Sequence, residues 1–175
     1  INNQIKQIEN LVNEFSDFAR MPKPMFKKNN IISILNINIK LLSKINTNIE
    51  ILFKQNKDEI NFDCDSEQLG RCFFNLIKNS IESINEKSEK NISFKGIIEI
   101  AITKRKDYIN IIILDNGNGF KNLNNKDLIK PYYTTKKNGS GLGLSIVNKI
   151  ISDHNGSIKL SNTNNGAKIE IIFSK

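Results

Sequence analysis

Four clusters of side chains carry the chemistry of this chain. In Asn75-Leu76-Ile77-Lys78-Asn79 the two asparagines are spaced to project from one face of a helix, with Leu76, Ile77 and Ser80 setting that face at the edge of a core. An amide oxygen there can ligate a hard cation such as Mg²⁺, which takes oxygen ligands and keeps waters and phosphates as the others. Two asparagines on a solvated face of an Asn-rich chain are the alternative. In Leu114-Asp115-Asn116-Gly117-Asn118-Gly119-Phe120 an apolar strand delivers a carboxylate at its end. It can accept a hydrogen bond from an exocyclic amine such as that of adenine, and the glycines allow close backbone approach. Alone, the segment also reads as a plain Asp-Asn-Gly turn.

Thr134-Thr135-Lys136-Lys137 offers hydroxyls and ammonium groups that suit phosphate, or a solvated loop. Gly139-Ser140-Gly141-Leu142-Gly143-Leu144-Ser145 places glycines before and at the opening of a helix. Backbone N–H groups and the positive end of the helix dipole can hold phosphate there. A loop rather than a strand leads into it, which excludes the dinucleotide-binding fingerprint, and no Gly-Lys-Ser/Thr follows to make a P-loop.

The elements that must position these clusters are legible from apolar spacing. Ile1, Ile5, Ile8, Val12, Phe15 and Ala19, with Leu11 and Phe18 alongside, form a heptad stripe that needs a partner helix. Met21-Pro22-Lys23-Pro24 breaks it, and a domain boundary is expected there. Helices follow over Ile31 to Ile45, Ser66 to Asn85 and Leu142 to Asp153. Asp65 is placed as the N-cap of the second, with Gln68 completing a capping box, and Leu69, Phe73, Leu76, Ile77, Ser80 and Ile84 inward. Strands are expected at 49–53, 60–64, Gly96 to Lys104, Tyr108 to Leu114, Ser157 to Leu160 and Ala167 to Phe173, the last two closing a hairpin around Asn164-Asn165-Gly166. Asp115 to Ser140 is polar and reads as one long loop. The order implies an α+β fold with a mixed sheet and helices on one face.

Composition sets the bounds. The chain has 175 residues, 38% hydrophobic and 25% charged, which supports one packed domain with an appendage. One histidine and two cysteines exclude a disulfide framework and zinc-ligand spacing. No apolar run is long enough to span a membrane. The first residue is Ile1, so a piece of a longer protein is expected. The formal charge is +8, but Lys is scattered and rides with an Ile- and Asn-rich composition, so no nucleic-acid partner is expected.

Taken together and in this order, the four clusters resemble the N, G1, F and G2 boxes of the ATP-binding domain of sensor histidine kinases, the Bergerat-fold superfamily shared with gyrase, Hsp90 and MutL. Lys130-Pro131-Tyr132-Tyr133-Thr134-Thr135-Lys136-Lys137-Asn138-Gly139-Ser140-Gly141-Leu142-Gly143-Leu144 is the most specific stretch and is similar to the nitrogen-regulation (NtrB and NtrY) class of kinases. Glu14-Phe15-Ser16-Asp17-Phe18-Ala19-Arg20-Met21-Pro22 resembles the end of the second dimerisation helix in that class.

The resemblance implies a two-layer α/β sandwich over 25–175, preceded over 1–24 by part of a dimerisation helix and linker. It implies ATP and Mg²⁺ as cofactors. Asn79 would be the Mg²⁺ ligand. Asn75 would stand where gyrase-type ATPases carry a glutamate base, and Lys78 would lie near the phosphates. Asp115 would bind the adenine amine, helped by Gly117 and Gly119. Tyr132, Thr134, Thr135, Lys136, Gly139, Ser140, Gly141 and Gly143 would line the nucleotide, with Leu142 and Leu144 seating the helix. The long loop would be a lid, mobile without nucleotide. Ile129 and Tyr132 stand where the family has two phenylalanines, which implies looser lid packing.

It further implies transfer of the γ-phosphoryl to a histidine on a dimerisation domain absent here, relay to a response regulator, a homodimeric parent and a cytoplasmic domain of an inner-membrane protein. His154, in Asp153-His154-Asn155-Gly156, matches a turn in the catalytic domain rather than the phosphoacceptor. The alternatives are a gyrase- or MutL-like ATPase clamp, against which Asn75 argues, and a basic nucleic-acid-binding module.

Overall fold

The computed structural model describes residues 5, 9, 12, 15, 16, 19–89, 93–121, 125–134 and 139–174. The elements run β1 (Lys27–Asn30), α1 (Ile31–Ile45), β2 (Ile49–Gln55), β3 (Asn61–Cys64), α2 (Ser66–Ser88), β4 (Gly96–Lys104), β5 (Tyr108–Asp115), α3 (Asn125–Leu128), α4 (Gly143–Asp153), β6 (Gly156–Asn162) and β7 (Ala167–Ser174).

Five strands form one mixed sheet in the order β2-β4-β5-β7-β6. β2 and β4 run parallel and the other neighbours antiparallel. The strands alternate strictly. Ile98, Ile100 and Ile102 of β4, Ile111 and Ile113 of β5, and Ile169, Ile171 and Phe173 of β7 are buried, while their neighbours are half-exposed. Period-two burial means one covered face. Against it lie the apolar faces of α1 (Ile31, Leu35, Leu42), α2 (Leu69, Phe73, Leu76, Ile77, Ile84) and α4 (Ile146, Val147, Ile150). Each such side chain is worth about 1.5–3 kcal/mol on burial. The two-layer α+β expectation holds, with helices on one face.

Two features depart from the expected elements. The strand at 61–64 is outside the main sheet. It pairs antiparallel with β1, from Lys27 opposite Cys64 to Asn30 opposite Asn61. The Asp65 cap forms, its carboxylate accepting from the N–H groups of Glu67 and Gln68, both at 3.1 Å. The reciprocal arm of the capping box does not. The Asp65 N–H donates instead to His154 Nε2 (3.0 Å), and the Gln68 amide nitrogen donates to Pro22 O (2.9 Å). Asp65 also accepts the Met25 N–H at 2.9 Å, so the segment after the proline break is tied to the start of α2. Burial raises the Asp65 carboxyl, but the N–H groups of Met25, Gln68 and Glu67, with His154 beside them, hold it below its ordinary value.

Of the N-terminal heptad residues, 5, 12, 15 and 19 have helical backbone. Ile5, Val12 and Phe15 are about half exposed, as a stripe without its partner requires. Ile1, Ile8, Leu11 and Phe18 lie outside the described residues. No helix among the described residues is long and apolar enough to cross a membrane.

Candidate functional site

A cavity of about 910 Å³ opens between α2, the end of β5, residues 118–121, Leu128, Tyr133, Thr134 and the start of α4. Its walls bring together Asn75, Lys78, Asn79, Asp115, Gly119 and Thr134 with Gly139, Ser140, Gly141, Gly143 and Leu144. These come from four separated stretches of sequence, so the sheet and α2 assemble the site.

Helix α2 supplies one wall. Its buried stripe fixes the rotation that turns Asn75 and Asn79 toward the cavity, one turn apart. A Cβ built on Gly143 would stand 3.9 Å from Asn79 Nδ2 and 4.0 Å from Asn75 Oδ1, so both amides meet the opening of α4. Lys78 sits beside them, half exposed, with Nζ 3.8 Å from Glu82 Oε1. An exposed pair at that distance leaves the ammonium available to an incoming anion.

The C-terminal end of β5 supplies the floor. Asp115 is buried, and Oδ1 accepts the Gly117 N–H (3.0 Å) and the Ala167 N–H (3.3 Å). Oδ2 accepts the Ser80 hydroxyl at 2.8 Å. The loop beyond it is tied at several points. Asn116 accepts from Ile97 N and donates to Lys95 O, and Lys87 Nζ donates to Asn116 O (2.7 Å), Gly117 O (3.0 Å) and Asn165 O (3.1 Å). Asn162 pairs both ways with the backbone of Phe120 (2.8 and 2.9 Å), anchoring the chain there after β5.

The opening of α4 supplies the far wall. Ser140 Oγ accepts the Leu142 N–H at 3.2 Å, and the N-cap residue Leu142 has no side-chain cap bond of its own. A helix start whose N-cap is an apolar residue, facing a cavity, is suited to an anion. Gly141 has φ of +71°, and a Cβ there would stand 2.5 Å from the Tyr132 carbonyl carbon, so only glycine permits that approach.

Several expected residues are placed elsewhere. Tyr132 is 56% exposed, has φ of +66° and stacks on Phe15 with ring centroids 6.4 Å apart. The left-handed backbone at Tyr132 turns the chain so that Tyr133 lines the cavity instead. Leu142 is fully buried, and Gly117 packs against Ser83, so neither lines the cavity. Thr135 and Lys136 lie outside the described residues. The loop expected over 115–140 contains the short helix α3, with Leu128 buried and Ile129 and Tyr133 packed on the core. Leu128, Ile129 and Tyr133 are therefore seated on the core, while Lys130, Pro131 and Tyr132 are exposed.

Ser80 and Tyr133 were not among the expected site residues. Ser80 reads as a small core residue, and only the approach of β5 to α2 shows its hydroxyl to be engaged. His154 is buried at the end of α4. Nε2 accepts the Asp65 N–H, and Nδ1 lies 2.7 Å from Ile150 O, which assigns the proton to Nδ1. It is a structural residue at a helix terminus, as expected.

Residues 64–175 match the family described as histidine kinase-, DNA gyrase B-, and HSP90-like ATPase. A sensor histidine kinase NtrY-like protein of Rickettsia felis is 35% identical over 167 residues, covering 95% of this chain and 27% of that protein. The chain thus spans about a quarter of the length of the curated relatives it matches. The nucleotide-free catalytic domain of histidine kinase ThkA superposes with a TM-score of 0.75 at 24% identity, covering 86% of this chain and 96% of that one. ThkA solved in complex with the response regulator TrrA superposes with a TM-score of 0.80 at 21% identity, covering 99% of this chain and 49% of that one. The fold is that of histidine kinase catalytic domains, and the chain belongs to the histidine kinase-, DNA gyrase B- and HSP90-like ATPase family.

Proposed function

We propose that this chain is the ATP-binding catalytic part of a two-component sensor histidine kinase and delivers the γ-phosphoryl of ATP to a histidine on the parent's dimerisation domain. The observation that carries the reading is one cavity with a buried carboxylate at its floor and the glycine-rich start of a helix with an apolar N-cap at another wall. That is a donor-seeking end for a base and an anion-seeking end for phosphates, joined by the two amides of α2.

Asp115 accepts the exocyclic amine of the base. Gly139, Ser140, Gly141 and Gly143 present backbone at the phosphate end, and Lys78 adds charge, with Lys136 assigned there by the resemblance alone. The residues present fit Mg²⁺. Asn75 turns its Oδ1 and Asn79 its Nδ2 toward the α4 start, each amide carries one neutral oxygen, and the described residues contain no group of three His, Cys, Asp or Glu that could hold a metal by themselves. A cation held by one amide therefore needs nucleotide oxygens and water as its other ligands, which is how Mg²⁺ binds. When bound, it neutralises charge on the transferring phosphoryl.

The chain's own part is positioning and electrostatics. Asn75 cannot take a proton from water, so its position supplies no general base for hydrolysis. The attacking imidazole nitrogen forms the P–N bond as the bond to the β-phosphate oxygen breaks and ADP leaves.

The half-exposed apolar residues Ile5, Val12 and Phe15 fit a helix that completes a four-helix bundle with a second protomer. Relay to a receiver domain and a membrane-anchored parent belong to the same reading. Incubating the full-length parent with γ-labelled ATP should give acid-labile label on a histidine outside this chain, abolished by Asn79→Ala. Stable label on His154, or undiminished label in Asn79→Ala, would contradict it.

A further inference from the structure

We propose that Ser80 is the positioning residue that makes the floor of the cavity selective for a base carrying an exocyclic amine. The proposal rests on the reading of Asp115 as the base acceptor. A carboxylate offers about four lone-pair directions. Two, on Oδ1, are taken by the backbone N–H groups of Gly117 and Ala167 at 3.0 and 3.3 Å. A third, on Oδ2, is taken by the Ser80 hydroxyl at 2.8 Å. One direction on Oδ2 is left, and both residues line the cavity into which it opens.

The Ser80 hydroxyl is not needed to fill space. Ser80 is 2% exposed among Ile77, Ile81 and Ile84 of the same helix, where alanine would pack as well and favour the helix more. Its effect is on Asp115. The terminal torsion of an aspartate is broad and nearly two-fold, so Oδ1 contacts alone leave Oδ2 free to swing. The short hydroxyl bond, made to the other oxygen, closes that freedom. It also commits the serine proton to Asp115, so the pair presents only acceptors to the base edge. An amine donates to them. A carbonyl at that position meets lone pairs, and the serine can satisfy it only by abandoning Oδ2, which leaves a buried charged acceptor short of a partner.

The test is calorimetric titration of this chain and its Ser80→Ala variant with ATP and with purine riboside 5′-triphosphate, which lacks the exocyclic amine. The wild-type chain should prefer ATP. Ser80→Ala should cut that preference by about 3- to 10-fold, with purine riboside triphosphate affinity changed less than about twofold. Equal loss for both ligands would make Ser80 a packing residue and overturn the proposal, as would an unchanged preference. If the wild-type chain binds both ligands equally, Asp115 does not read the amine and the proposal falls with that assignment. If it binds neither, the nucleotide-site reading itself fails.

Discussion

Gly166 sits in the β6–β7 turn, remote in sequence from Asp115, yet the two backbones are in contact. A Cβ on Gly166 would stand 2.2 Å from Asp115 O and 2.9 Å from Asn116 Cα. Ordinary contact begins near 3.4 Å, so Gly166→Ala must push turn and floor apart by about 1 Å. The turn cannot yield cheaply. Thr163 Oγ1 accepts the N–H groups of Asn165 and Gly166, and Lys87 Nζ ties Asn165 O to the Asp115–Gly117 loop. The bond from Ala167 N–H to Asp115 Oδ1 is already 3.3 Å long, and a further ångström breaks it. Overpacking costs about 1–3 kcal/mol, and a chain of this size loses about 2–4 °C of Tm per kcal/mol, so thermal unfolding should fall by about 2–12 °C. A lost bond to a charged group is worth about 1.5–3 kcal/mol, so ATP affinity should fall about tenfold or more. Differential scanning fluorimetry and calorimetric titration of the same variant read both. A variant that matches wild type in both, or loses Tm with full ATP affinity, would refute the claim that the hairpin turn supports the base site.

Three other outcomes follow from the geometry. Gly141→Ala forces φ near +71° on a side-chain-bearing residue and meets the Tyr132 backbone, so at about 1–2 kcal/mol of strain it should weaken ATP binding severalfold by titration. Asp65 is held below its ordinary carboxylate value, so its contribution to stability is fully present above that ordinary value and is lost as pH falls through the lowered one. Urea unfolding of Asp65→Ala should show a loss of about 0.5–2 kcal/mol at neutral pH and a shallower acid limb than wild type. Burial pushes the Cys64 thiol up to about 11 and Cys72 higher still, so neither should react with a thiol reagent at pH 8 until the chain is unfolded.

What was legible in the sequence was whatever repeats with a period. The alternation Ile98, Ile100, Ile102 and the stripe Leu69, Phe73, Leu76, Ile77 set the strands and α2, and with them Asn75, Asn79 and Asp115. What was not legible depends on contacts across the fold. β1 is Lys-Lys-Asn-Asn, a sequence with no strand preference of its own, held by β3 and by the Asn29 amide on Cys64 O. Gln68 satisfied a capping-box spacing, but the Asp65 N–H that it would have accepted goes to His154 Nε2, a residue 89 positions away. Tyr132 and Tyr133 are adjacent in sequence, and only the left-handed turn at Tyr132 decides which faces the cavity. Ser80 and Gly166 look like a core filler and a turn residue until β5 is laid beside them.

The central claim is that this cavity binds ATP with Asp115 at its floor, and calorimetric titration of the chain with ATP in the presence of Mg²⁺ tests it most directly. One ATP should bind per chain, and Asp115→Asn, which removes a charged acceptor worth about 1.5–3 kcal/mol, should weaken it by about 10-fold or more. Absence of binding with or without Mg²⁺, or equal affinity in wild type and Asp115→Asn, would contradict the account.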